Sequence, residues 1–307
     1  MLVYLYKRII LACIVVLGVA TLVFLLIHLV PGDPVEVMLG ESAQLADREA
    51  LRVALGLDQP LMQQWLHFMT QLLHLDFGTS LYSKREIAAI LGERIPATAV
   101  LAVASLLVAL ILAFPLGVVA ALNRGRGWDV VAMTFSMLGI SIPNFWLGPL
   151  LILVFSIGLG WFPVSGYGGP LSLVLPALTL GSAMAALLSR MVRASLLEVL
   201  NEEYMRAAAA RGLSPLAIIV RHGLPNAMLP IITVLGLQFG ALLAGAVITE
   251  TIFAWPGIGQ LTIDAIQKRD YPVVQACVLL ISLTYVFINL LTDLAYAWLD
   301  PRVRLDQ

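Results

Sequence analysis

The sequence predicts an all-α integral membrane protein with six transmembrane helices, one external helical segment and one cytoplasmic docking loop. Three observations predict it. Of 307 residues, 60% are hydrophobic and 12% charged, with a mean hydropathy of +0.95. A soluble domain is nearer half apolar and a quarter charged. The apolar residues gather in runs of ~20, enough to cross a ~30 Å hydrocarbon core at about 1.5 Å per residue. Between two of those runs, the stretch from Glu202 to Ala227 is polar, basic and helix-prone.

The chain opens on a short aromatic and basic start, Tyr4 to Arg8, and the first span follows from Ile9 to Val30, broken only by His28. Its apolar run is too long for a cleaved signal peptide, and no small-residue cleavage site precedes Pro31-Gly32-Asp33-Pro34. His28 reads as interfacial. The segment 31–96 is the one long stretch outside the membrane. Ser42 is placed to cap a helix that runs to Leu55 and closes at Gly56, and a second helix starts near Pro60. Leu61, Trp65, Phe68, Met69 and Leu72 share one face of that second helix, as in an amphipathic helix lying on a membrane or on protein. His67 and His74 also share a side of it, but a third ligand is missing, so no metal site is predicted.

The remaining five spans fall within 97–307. Thr98 to Leu122 carries Pro115, a kink signal. Asn123 to Gly127 is a short basic turn. The third span, from about Val130 to Ile157, is interrupted by Ser141-Ile142-Pro143-Asn144. A polar, proline-bearing break at membrane depth must be buried in protein or line a cavity, because lipid cannot satisfy the freed backbone groups. Ser141, Pro143 and Asn144 are therefore candidate pathway-lining residues. Leu171 to Leu188 is span four, with Gly181 and Ser182 for close helix approach and Arg190 and Arg193 at its inner end. Met228 to Ile248 is span five, with Gly236, Gly240 and Gly245 for the same purpose. Val273 to Leu299 is span six, with Asp293 as a structural polar contact.

The docking loop, 194–226, has its own grammar. The alanine run Ala207 to Ala210 favours helix. Gly212 follows at the left-handed cap position, Ser214-Pro215 reads as an N-cap and first-turn proline, and Pro225 is expected to end the second helix. Arg206, Arg211 and Arg221 should face water on this compact two-helix knob. Orientation follows from lysine and arginine: with the start inside, eleven lie inside and seven outside. The long external segment counts little in this rule. Both termini and the docking loop are then cytoplasmic.

Several function classes lack their residues. The three lysines, Lys7, Lys84 and Lys268, are not preceded by glycine, so no P-loop exists to cradle ATP phosphates. No His-Glu-x-x-His, Gly-x-Ser-x-Gly or Gly-x-Gly-x-x-Gly string appears, which leaves no candidate catalytic set. A self-powered secondary transporter or channel would need an intramembrane carboxylate relay or an inverted repeat, and neither is detected. The net charge of -1, with no basic tail, gives no sign of a nucleic-acid partner. Cys13 and Cys277 lie in apolar spans and read as small buried hydrophobes.

At the docking loop the chain resembles a known family. Permease subunits of binding-protein-dependent ABC importers carry a cytoplasmic loop of the form Glu-Ala-Ala-x-x-x-Gly, nine residues, then Ile-x-Leu-Pro. Ala207, Ala208, Gly212, Leu224 and Pro225 fall at that spacing, while Arg206 stands in place of the Glu and His222 in place of the Ile. The wider set of Tyr204, Arg206, Ala208, Ala210, Arg211 and Gly212 with Leu224-Pro225-Asn226-Ala227 is similar to the dipeptide/oligopeptide/nickel branch. Further strings agree: Pro31 to Pro34, Leu55 to Pro60, Asp76 to Ser80, and an outer loop of Glu250, Phe253, Trp255, Pro256, Gly257 and Gly259. They look like the first of the two permeases of such systems, with a type I importer fold. The short loop Trp161 to Pro170 resembles glutathione and nickel members more.

The resemblance implies an inner-membrane subunit that moves a small peptide-like solute, delivered by an external binding protein, along a path shared with a second homologous permease. Glutathione and nickel or metal chelates are alternative solutes. Two ATPase subunits would bind ATP and Mg and seat the loop in a groove, while this chain holds no cofactor. The outer loop would form a gate or a binding-protein contact.

Overall fold

In the computed structural model the structure describes residues 2–29, 33–39, 44–54 and 56–299. The described residues form thirteen α-helices and no strand beyond a single Thr79–Glu86 bridge. Among the described residues five helices are long and apolar enough to cross a membrane, or six if one bent pair is counted as a single span. The chain divides into two compact units. One comprises Met1–Leu5, Ala99–Trp255 and Phe287–Gln307; the other comprises Tyr6–Thr98 and Pro256–Val286.

The second of these units holds most of α1 (Leu2–Leu29), the short α2 (Pro34–Leu39), α3 (Leu45–Ala54), α4 (Leu61–Leu73), the start of α5 (Ile87–Leu122), α12 (Ile258–Gln267) and the start of α13 (Tyr271–Leu299). Of the apolar face expected on α4, Trp65, Phe68, Met69 and Leu72 are half-buried and Leu61 is exposed. Phe68, Met69 and Leu72 pack with Ala20, Val23 and Leu279, and the Trp65 indole donates to the Thr21 hydroxyl at 3.1 Å. His28 donates through Nε2 to Gln64 at 2.9 Å and stacks on Phe24. Cys277 is buried as expected, but Cys13 is exposed. The predicted cap at Ser42 and the Pro31-Gly32 turn lie outside the described residues, as do Arg302, Arg304 and Gln307.

A clasp closes this unit. Asp270, 3% exposed, accepts from the Ser80 hydroxyl at 2.5 Å and from the backbone N–H groups of Leu81 and Tyr82 at 3.1 and 3.3 Å. Asp270→Asn replaces one acceptor oxygen with a donor and should cost the turn about 1–3 kcal/mol. Amide exchange over residues 80–84 should quicken while the spans stay protected. Unchanged exchange there would mean the clasp holds nothing.

The first unit is organised around α8 (Pro170–Leu200). α5 runs beside it in the same direction, at very short range. A Cβ on Gly117 would lie 2.7 Å from the Ser189 carbonyl oxygen, and one on Gly181 2.6 Å from that of Ser105. α6 (Gly127–Ser141) runs the opposite way along α8, fixed at three levels. Arg193 grips Asp129 through two bonds of 2.7 Å, the Ser136 and Ser189 hydroxyls meet at 2.7 Å, and Gly139 faces Ala186. α11 (Leu224–Ile252) also runs against α8, with Ile231 and Leu242 in a core shared with Ala109, Ala113, Met184 and Leu188. A Cβ on Gly236 would come within 2.3 Å of the Thr292 hydroxyl, which sets the approach of α13.

Two expectations change here. The second transmembrane helix starts at Ile87 and passes Pro115 without interruption, so the boundary placed at residue 96 falls inside a helix of 36 residues. Neither Pro96 nor Pro115, both on the exposed side of the helix, stops it. The interruption expected in the third span is present: α6 and α7 (Asn144–Leu151), which continues as a π-helical turn to Gly158, meet at 104°. Pro225 does not end the second helix of the docking loop. The chain continues from Pro215 through a π-helical turn, Ile219–Gly223, into α11. The proline ring would clash with the carbonyl four residues back in a regular helix. The wider turn, closed by Leu224 N–H onto the Ile219 carbonyl, removes that conflict.

Candidate functional site

The docking loop forms the knob its sequence predicts, with one change at its exit. α9 (Glu203–Ala210) is short and alanine-rich. It ends in a pair of capping bonds, Gly212 N–H to the Ala209 carbonyl at 3.0 Å and Leu213 N–H to Ala208 at 3.5 Å, the pattern that a left-handed glycine makes possible. Gly212 takes φ +77° as required. Ser214 then caps α10 (Pro215–Ile218) by accepting from Ala217 N–H at 3.3 Å.

A small apolar floor holds the two helices. Met205, Ala208, Ile219 and Leu196 are buried, and Gly223 lets the Met205 and Leu196 side chains close over it at 3.5 and 3.1 Å of a notional Cβ. The outward face carries Tyr204, Arg206, Ala207, Ala210, Arg211, Gly212, Pro225 and Asn226, all exposed; His222 and Leu224 are half-buried, and Ala208 points inward. Partial burial, then the Glu202 charge, raises the Tyr204 phenol above its ordinary value against the lowering effect of Asn226, so the hydroxyl stays neutral.

Sequence reasoning missed two residues on this surface. Leu216 and Val220 are 71% and 52% exposed and four apart on the second helix, between the arginines. Apolar residues at that spacing in a polar segment were the available signal. The knob thus exposes two aliphatic side chains on a segment that also exposes Arg206, Arg211 and Arg221.

The break at Ile142-Pro143 is the second feature. Ser141 is exposed and turns back to the Met137 carbonyl at 2.9 Å. Pro143 is exposed and Asn144 half-buried. α7 leaves the break against α11: Gly148 faces Ile252 and Phe253, and the Asn144 amide lies 3.3 Å from a notional Cβ on Gly245. The outer loop is packed inward. Glu250, Phe253 and Trp255 are at most 2% exposed, and Gly257 and Gly259 are buried, with Pro256 half-buried. Tyr167 meets the Trp255 ring edge-on at 4.7 Å, and Gly166 N–H bonds the Phe253 carbonyl at 2.9 Å. These side chains shape the loop from within; as they stand they present almost no surface to an outside protein.

Residues 113–305 match the family model of the binding-protein-dependent transport system inner membrane component, and residues 1–102 match that of its N-terminal part. The chain belongs to the permease family of binding-protein-dependent ABC importers. This permease is 44% identical over 304 residues to the glutathione transport system permease protein GsiC of Salmonella choleraesuis (strain SC-B67), covering 99% of each chain. It is 45% identical over 305 residues, again 99% of each chain, to GsiC of Pectobacterium atrosepticum. Two solved transporters share its fold. An inward-facing MetNI methionine ABC transporter gives a TM-score of 0.60 at 19% identity, over 69% of this permease and 97% of that chain. An amino acid ABC transporter crystallised with histidines gives 0.52 at 15% identity, over 68% and 94%. The permease is therefore a multi-pass inner-membrane subunit of an importer that works with ATPase subunits and a binding protein, with the type I fold.

Proposed function

We propose that this permease is one half of the path by which a short peptide, glutathione first among them, is carried inward at the expense of ATP. The observation that carries the solute is the match over 99% of the chain to glutathione permeases. The second half is a homologous permease. Two ATPase subunits bind ATP and Mg and do the hydrolysis, and this chain supplies no catalytic group. The knob of α9 and α10 is the coupling element, with Arg206, Arg211, Leu216 and Val220 as its contact. Ser141, Pro143 and Asn144 line the path. Glu250, Phe253, Trp255, Pro256, Gly257 and Gly259 set the shape of an outer gate. The test is ATP-dependent accumulation of labelled glutathione in proteoliposomes holding the four-subunit complex and its binding protein. Uptake of dipeptides alone would overturn the solute; uptake without ATP would overturn the coupling.

The same reading places both termini in the cytoplasm, supported by the excess of inside lysine and arginine. In intact cells a Ser83→Cys variant should react with an impermeant maleimide, and Gln307→Cys should react only after lysis. The reverse pattern would invert the topology.

A further inference from the structure

Gln238 sits midway along α11, only 9% exposed, and its side-chain nitrogen has no hydrogen-bond partner among the described residues. Ile231 and Leu242, seven residues before and four after it, lie on the same helix face and belong to the apolar core. The amide nitrogen in that setting gives up its water and gains nothing in return. An apolar residue of the same size would serve packing better. Gly245 lies seven residues further along the same face, about 10.5 Å at 1.5 Å per residue. There the half-buried Asn144 amide rests against α11, 3.3 Å from a notional Cβ. Along one side of α11, Gln238 and the position where the Asn144 amide of α7 rests are thus about two turns apart.

That spacing has a chemical counterpart. An extended peptide of three residues is ~10–11 Å long. Carboxamides both donate and accept, so they pair with peptide N–H and C=O groups and donate to a terminal carboxylate. Having no charge, they bind such a solute without trapping it, as a path that must release its cargo requires. We propose that Gln238 and Asn144 are the solute-contacting amides of this subunit, spaced for a three-residue peptide; this rests on the short-peptide reading above. Gln238 is covered in the present conformation, and reorientation of the spans during transport uncovers it.

The test uses the complete complex with its loaded binding protein in proteoliposomes and glutathione as probe. Gln238→Leu should leave the melting temperature of the complex unchanged or higher. It should leave the stimulation of ATP hydrolysis by loaded binding protein intact, and lower glutathione uptake about tenfold, the loss of one good hydrogen bond. Asn144→Ala should lower uptake in the same way. A lower melting temperature for Gln238→Leu would show that the amide serves the fold, and would overturn the proposal. So would wild-type rates of uptake in both variants. If the wild-type complex imports no tripeptide, the solute reading fails together with the amide pair; if it does and the variants match it, the amide pair alone fails.

Discussion

Gly212→Val should leave the permease in the membrane at near-normal abundance and abolish the stimulation of ATP hydrolysis by loaded binding protein. Open space surrounds this position, so a larger side chain meets no steric barrier. The obstacle is the backbone. φ +77° places Gly212 in the left-handed region, which a β-branched residue resists at a cost of about 1–3 kcal/mol. The helix that ends here is short, and its last carbonyls depend on the Gly212 and Leu213 N–H groups. Relief of the strain turns the chain elsewhere, α10 loses its entry angle, and Leu216 and Val220 move relative to Arg206 and Arg211. The spans are not part of this turn. Gly212→Asn is the control, since asparagine tolerates the left-handed region and should keep most of the stimulation. Arg206→Glu, which brings in the commoner residue of the wider family, should be mild. ATPase activity of the reconstituted complex, with and without loaded binding protein, decides. Full stimulation in Gly212→Val would remove this loop from the coupling path.

Much of this could be read before the fold was known, where the signal is local. Apolar runs mark the spans, and Gly212, Ser214 and Pro215 mark the turn, because helix caps depend on a few neighbouring residues. The break at Pro143 was legible as a break, but its 104° angle was not, since that is set by α8 on one side and α11 on the other. Pro225 misled for a related reason: a π turn five residues long absorbs a proline that a regular helix cannot. The outer aromatic loop resembled a contact surface, but the burial of Phe253 and Trp255 comes from packing that includes the distant Gly166–Tyr167 segment. Gln238 drew no notice because a single amide in a span has no pattern. Arg193 was read only as one of the positive charges at the inner face. Its partner Asp129 is 64 residues away, beyond the reach of any motif.

That ion pair carries the second large effect. Asp129 is 5% exposed, accepts two bonds of 2.7 Å from the Arg193 guanidinium, and takes a third of 2.9 Å from Gly125 N–H. Removing the arginine leaves a covered carboxylate with one backbone donor. Arg193→Met should destabilise the permease by about 3 kcal/mol, the low end for a broken buried pair, since the Arg193 side chain itself is 27% exposed. Asp129→Leu should cost less, because the freed guanidinium has a short way to water along its own methylenes. The double variant Asp129→Leu, Arg193→Met should recover most of the loss, as apolar replacement of both partners often does. Transport should follow a different order. α6 hangs on α8 by this pair, the Ser136–Ser189 bond and the Gly139 contact, and it leads directly to the break at Pro143. With the end of α6 unfixed, a movement delivered through α8 reaches Asn144 attenuated, so all three variants should import solute more slowly than wild type, the stable double variant included. Melting temperature and uptake measured on the same preparations separate the two roles. If Arg193→Met and the double variant are equally unstable, the cost lies in lost packing of the arginine stem and not in an unpaired carboxylate.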